Sequence, residues 1–98
     1  MHSDGSTPGD ELYRCRVCGL LQDDPPWGED GHTASFEICA CCGTEFGYED
    51  ATQAGIERKR AGWLAAGTPW FDKKQKPAHW DLDAQLTHIP QQYRQKPS

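Results

Sequence analysis

The chain has 98 residues with a formal net charge of -5; 36% of them are apolar and five are cysteine. That length suits one small domain, and the apolar share leaves a core modest enough to call for a staple. Overall acidity argues against phosphate-backbone binding, and no apolar run approaches the ~18 residues of a membrane span, so neither nucleic acid nor a membrane is an expected partner.

The charge is uneven. Residues 1–50 carry eleven acids against Arg14 and Arg16, a net of -9, whereas residues 51–98 carry four acids and eight bases, a net of +4. An acidic first half favours a basic partner. The first residues lack the apolar core of a signal peptide, so a cytoplasmic location is expected, where paired cysteines serve as ligands more often than as disulfides. The odd cysteine count also speaks against a closed disulfide framework.

Residues 1–10 are small and polar with no apolar run, and they read as a disordered N-terminus. Tyr13, Cys15 and Val17 then alternate as one face of a short strand leading into Cys15-Arg16-Val17-Cys18-Gly19. A C-x-x-C turn brings the side chains of i and i+3 to one side of the backbone, so both sulfurs face one point. Gly19 supplies the positive φ that such a knuckle needs after its second ligand, and the amides there are expected to point at the thiolates. Leu20 and Leu21 are placed to cover the sulfurs.

Residues 22–34 hold Pro25, Pro26, Gly28 and Gly31 with Asp23, Asp24, Glu29 and Asp30 around Trp27, which makes a loop. Trp27 has two readings: it folds back over the metal site, or it anchors a basic partner amid the acids. His32 is a surface group, because four cysteines already complete a tetrahedron.

Ser35 to Cys39 alternates polar and apolar residues as a half-buried strand, expected to pair with residues 13–17. It enters the second knuckle, Cys39-Ala40-Cys41-Cys42-Gly43, and Phe46 with Tyr48 reads as a third short strand. Residues 51–66 form one long helix, with Asp50 as N-cap, Gly67 as C′ residue, and Ile56, Trp63 and Leu64 on one packing stripe. Gly55 and Gly62 share another face and cost about 1 kcal/mol each relative to alanine unless something approaches closely there. Arg58, Lys59 and Arg60 fan around the helix and read as solvated charges.

After Thr68-Pro69, Trp70 and Phe71 are expected to seal the core. Asp81 caps a short helix through Thr87, with Leu82, Leu86 and Ile89 at i, i+4 and i+7, and Pro90 ends it. Trp80 is placed to reach Gln85 or the helix beyond. His79 and His88 have no ligand partner at useful spacing, and residues 91–98 form a polar tail.

Twenty residues separate Cys18 from Cys39, the spacing between ligand pairs in zinc ribbons. The expected site is therefore one metal held by Cys15, Cys18, Cys39 and Cys42, with zinc as the cofactor and iron as the alternative. Cys41, between two ligands, is a spectator, a substitute for Cys42 or a redox-sensitive thiol. The expected fold is small α+β: a rubredoxin-like zinc ribbon over residues 11–50, its knuckles on short antiparallel strands. One long and one short helix over residues 51–90 pack on it as part of the same domain.

The run Tyr13 to Leu20, followed by Ser35 to Cys42, resembles the bacterial cysteine-rich CPCC family of small metal-binding proteins. In that family the first knuckle reads Cys-Pro-Cys-Cys-Gly; here Arg16 stands for the proline and Val17 for the middle cysteine, which spares the ligands. The resemblance covers residues 12–50 and implies metal binding without any catalytic residue. No carboxylate pair, nucleophile-base set or phosphate loop is present in the sequence, so an enzyme is not expected. The expected function is a structural zinc domain for protein recognition, with a rubredoxin-like electron carrier or thiol redox sensor as the alternative.

Overall fold

The computed structural model describes residues 8–94; the expectations for residues 1–7 and 95–98 fall outside that range. A single helical turn, α1 (Pro8–Glu11), is followed by more than forty residues of turns and loops. Then come α2 (Gln53–Ala65), a 3-10 turn (Lys73–Gln75), α3 (Leu82–Leu86) and a second 3-10 turn (Gln91–Tyr93).

The expected ribbon of antiparallel strands is not formed. Among the described residues there is no strand, only two isolated antiparallel bridges, Arg14 to Leu21 and Ile38 to Glu45. Each bridge closes one knuckle on itself. Cys15 N–H donates to the Leu20 carbonyl at 3.0 Å and Gln22 N–H to the Tyr13 carbonyl at 2.7 Å. In the second knuckle Cys39 N–H donates to the Thr44 carbonyl at 2.9 Å and Phe46 N–H to the Glu37 carbonyl at 3.0 Å. The hydrogen bonds that a sheet would run between knuckles are thus spent within them, and 13–17 does not pair with 35–39. Phe36, at φ 63°, breaks the extended run that its alternating neighbours suggested. Phe36 and Ile38, read as the buried face, are exposed, as is Leu21, while Leu20 packs partly buried against the core. The third strand is likewise a turn: Tyr48 and Glu49 N–H both donate to the Glu45 carbonyl, burying Phe46 and leaving Tyr48 outside.

α2 begins two residues later than expected. Thr52 is its N-cap, accepting from Gly55 N–H at 3.0 Å, and Asp50 is committed elsewhere. At its other end Gly67 takes φ +94° and Thr68 N–H reaches the Trp63 carbonyl, the left-handed stop expected there. Its buried face is Ile56, Arg60 and Trp63; Leu64 points outward. Asp81 caps α3 as expected, accepting from Ala84 N–H at 3.2 Å.

The core is centred on the knuckles. All five cysteines, Val17, Phe46, Ile56, Trp63 and Trp70 are buried together, with Leu20, Trp80, Leu82, Leu86 and Tyr93 against them. Trp80 lies between Trp70, edge-on with ring centroids 5.4 Å apart, and Trp63 at 6.4 Å, and its Nε1–H donates to Gln85 Oε1 at 2.8 Å. Phe71, expected to seal the core beside Trp70, is largely exposed. Its backbone explains why: Phe71 N–H and Asp72 N–H donate to the Cys41 and Ala40 carbonyls, so the segment lies across the second knuckle with the ring outward.

Candidate metal centre

Each knuckle is built by the same local chemistry. Gly19 and Gly43 adopt φ +86° and +79°, and each donates its N–H to the carbonyl of the first cysteine, Cys15 or Cys39, at 3.0 Å. The glycine amides therefore close the turn instead of pointing at sulfur; the amide that reaches a sulfur is Val17 N–H, 3.4 Å from Cys15 Sγ. Gly19 is confined further. A Cβ there would lie 2.4 Å from the Gln85 carbonyl oxygen, so the α3 segment packs flush on the first knuckle.

The two knuckles converge. The sulfurs of Cys15, Cys18, Cys39 and Cys42 lie within 4.8 Å of one another and all four residues are buried. Cys15 and Cys42 sulfurs are 3.6 Å apart, and those of Cys18 and Cys39 are 3.7 Å apart. A tetrahedral ion with metal–sulfur bonds of about 2.3 Å has edges of about 3.8 Å, whereas a disulfide is only about 2 Å long. The cysteines are free and the spacing is that of a coordination shell, so the four are positioned to hold a metal ion.

Without an ion this centre is electrostatically crowded. Burial pushes the Cys15 and Cys18 thiols well up, while hydrogen bonds from Cys15, then Cys18 and Cys42, hold Cys39 far below the ordinary thiol range. With no ion bound, burial therefore favours the protonated form of Cys15 and Cys18. A divalent ion replaces those protons.

Several partners of the centre leave no local trace in sequence. Thr44, fully buried, places its hydroxyl 3.0 Å from Cys42 Sγ, and Gln22 Nε2 donates toward Cys39 Sγ at 3.5 Å. Gln85 Nε2 donates to the Cys18 carbonyl at 3.2 Å and to Cys41 Sγ at 3.3 Å. Cys41 is buried yet lies outside the set of four. His32 and His79 are exposed and outside it too.

Arg60, read as a solvated charge, is the largest departure. It is buried, with Nε donating to the Val17 carbonyl at 2.7 Å and Nη2 to the Arg16 and Tyr93 carbonyls at 2.8 and 2.7 Å. Burial draws its pKa down, and the charges of Cys15 and then Glu57 oppose that shift. A guanidinium clamps the first knuckle from behind and offsets thiolate charge.

Trp27 folds inward, but onto Arg16 and Asp50 and not over the sulfurs. Its Nε1–H donates to Asp50 Oδ2 at 2.9 Å, and the Arg16 guanidinium stacks between its ring, at 4.1 Å, and that of Tyr93, at 4.4 Å. Asp50 Oδ1 accepts Gly47 N–H at 2.8 Å, which is why this fully buried carboxylate does not cap α2. Trp27 ties the acidic loop to Arg16 of the first knuckle and, through Asp50, to the Gly47 turn that follows the second.

Fold and site together define a small domain folded around paired C-x-x-C-G knuckles that can share one metal ion. The chain is similar to two proteins of Bacillus subtilis (strain 168). It is 31% identical over 75 residues to the uncharacterized protein YoaQ, covering 59% of this chain and 62% of that protein. It is 41% identical over 44 residues to the uncharacterized protein YozI, covering 41% of this chain and 35% of that protein. The chain thus spans less than two thirds of either relative. No family model matches it, and no solved structure does. Among the described residues, no helix is long and apolar enough to cross a membrane.

Proposed function

We propose that the chain is a structural zinc-binding domain, akin to the cysteine-rich CPCC proteins, that presents a surface for protein recognition. The observation that carries the metal reading is the burial of four thiol sulfurs within 4.8 Å of one another. Soft thiolates in tetrahedral spacing suit zinc. Four protein ligands leave no coordination position for water or substrate, which makes the centre structural rather than catalytic.

The recognition surface in this reading is the acidic loop, where Asp23, Asp24 and Glu29 are exposed while Trp27 holds the loop in place from within. A rigid acidic ridge on an acidic half-chain suits a basic partner. Truncating Trp27 would damage the fold, so the charges are what a test must change.

Native mass spectrometry before and after chelation tests the metal: one zinc per chain in colourless protein is the expected result. Coloured protein carrying iron, with a reversible one-electron wave, would favour an electron carrier. For the partner, the Asp23→Asn/Asp24→Asn/Glu29→Gln variant should retain its zinc and melting temperature yet lose a salt-sensitive co-purifying protein. Equal retention by the variant would refute this surface.

A further inference from the structure

Beyond the metal centre, the described residues form an open-sided hollow of about 790 Å³ between α2 and the second knuckle. That lies within the roughly 300–1,000 Å³ of small-molecule sites, which combine apolar and aromatic walls with a few polar groups. Trp63, Trp70 and Phe71 line it, together with Tyr48, and both Tyr48 and Phe71 are well exposed.

Two further observations point to an occupant. Gly62 lines the hollow, and a Cβ built there meets nothing within 4 Å, so neither packing nor backbone geometry calls for glycine in mid-helix. Gly55, on the same face, differs: the Glu49 carbonyl would lie 2.7 Å from its Cβ. At the rim, Lys59 pairs with Glu49 at 3.4 Å, but Arg58 is exposed and has no carboxylate partner among the described residues.

We infer that this hollow is a binding site for a small, flat, apolar molecule carrying one carboxylate. The ring would lie over Gly62, where a side chain would exclude it, and among Trp63, Phe71 and Tyr48; the carboxylate would take the Arg58 guanidinium. The inference is independent of the protein-recognition reading, which concerns the acidic loop.

The test is an NMR titration of the protein, with its metal, by 1-naphthoate, following the Gly62 amide and the four tryptophan indole N–H signals. Saturable shifts of Gly62 and the Trp70 indole, with the Trp27 indole unmoved, are expected. The neutral isostere 1-naphthylmethanol should bind about tenfold more weakly, and Arg58→Ala should weaken naphthoate by about the same factor. Gly62→Leu should abolish the saturable shifts while its melting temperature equals or exceeds that of the parent. Naphthoate binding unchanged in Gly62→Leu, equal affinity for the neutral isostere, or an absence of saturable shifts in the folded parent would each overturn the assignment. So would tighter binding of a short peptide ending in phenylalanine, which would make the hollow a peptide site.

Discussion

At the scale of single residues, Arg60 shows how a charge becomes structural. Three backbone carbonyls, on Arg16, Val17 and Tyr93, take their hydrogen bonds from one guanidinium. These bonds tie α2 and the C-terminal turn to the first knuckle. Arg60→Met would strand buried acceptors and is expected to cost about 3 kcal/mol, read by chemical denaturation of the metal-loaded protein. Arg60→Lys should recover less than half of that, because a single ammonium cannot span the fork. A full recovery with lysine would show that charge alone matters.

At the scale of the element, α2 carries two glycines that the sequence treats alike and the structure separates. Gly55 is held by the Glu49 carbonyl, where a Cβ would sit 2.7 Å away, whereas Gly62 faces open space. Gly62→Ala should therefore stabilise by about 0.5–1 kcal/mol through helix propensity, while Gly55→Ala should destabilise despite the same propensity gain. Thermal melts of the two variants against the parent check the opposite signs. The knuckles obey a similar logic: each is a closed turn with its own bridge, so neither needs a strand from the other.

At the scale of the whole molecule, more than forty residues between α1 and α2 contain no regular element, and they converge on the buried cluster of four cysteines. Under the zinc reading, chelation should abolish the cooperative melt, and restoring the ion should return it. The pH dependence has a definite sign. Burial raises the Cys15 and Cys18 thiols, so the metal-free state binds more protons than the loaded one, and acid favours it. Stability of the loaded fold should fall as pH drops further below the ordinary thiol range of about 8.5, with metal release tracking the loss. Melting temperature and bound metal, measured together along a pH series, check this; a melt insensitive to acid would contradict it.

What the sequence determined by itself was the pair of knuckles positioned to hold an ion, because a C-x-x-C-G turn is complete within five residues: i and i+3 face one way and a glycine takes the left-handed φ. The body of α2, its stop at Gly67 and the Asp81 cap of α3 were legible for the same reason, since propensity and caps act over neighbours; the N-cap of α2 was not, because Asp50 is held by Trp27 and Gly47 and Thr52 caps instead. Tertiary structure alone decided the rest. Alternation over 35–39 suggested a strand, yet a strand exists only with a partner, and here each knuckle arm bonds to its own return. Arg60 and Gln85 belong to the centre through contacts 43 and 67 residues away, at Val17 and Cys18, and a contact of that span leaves no mark on the local pattern.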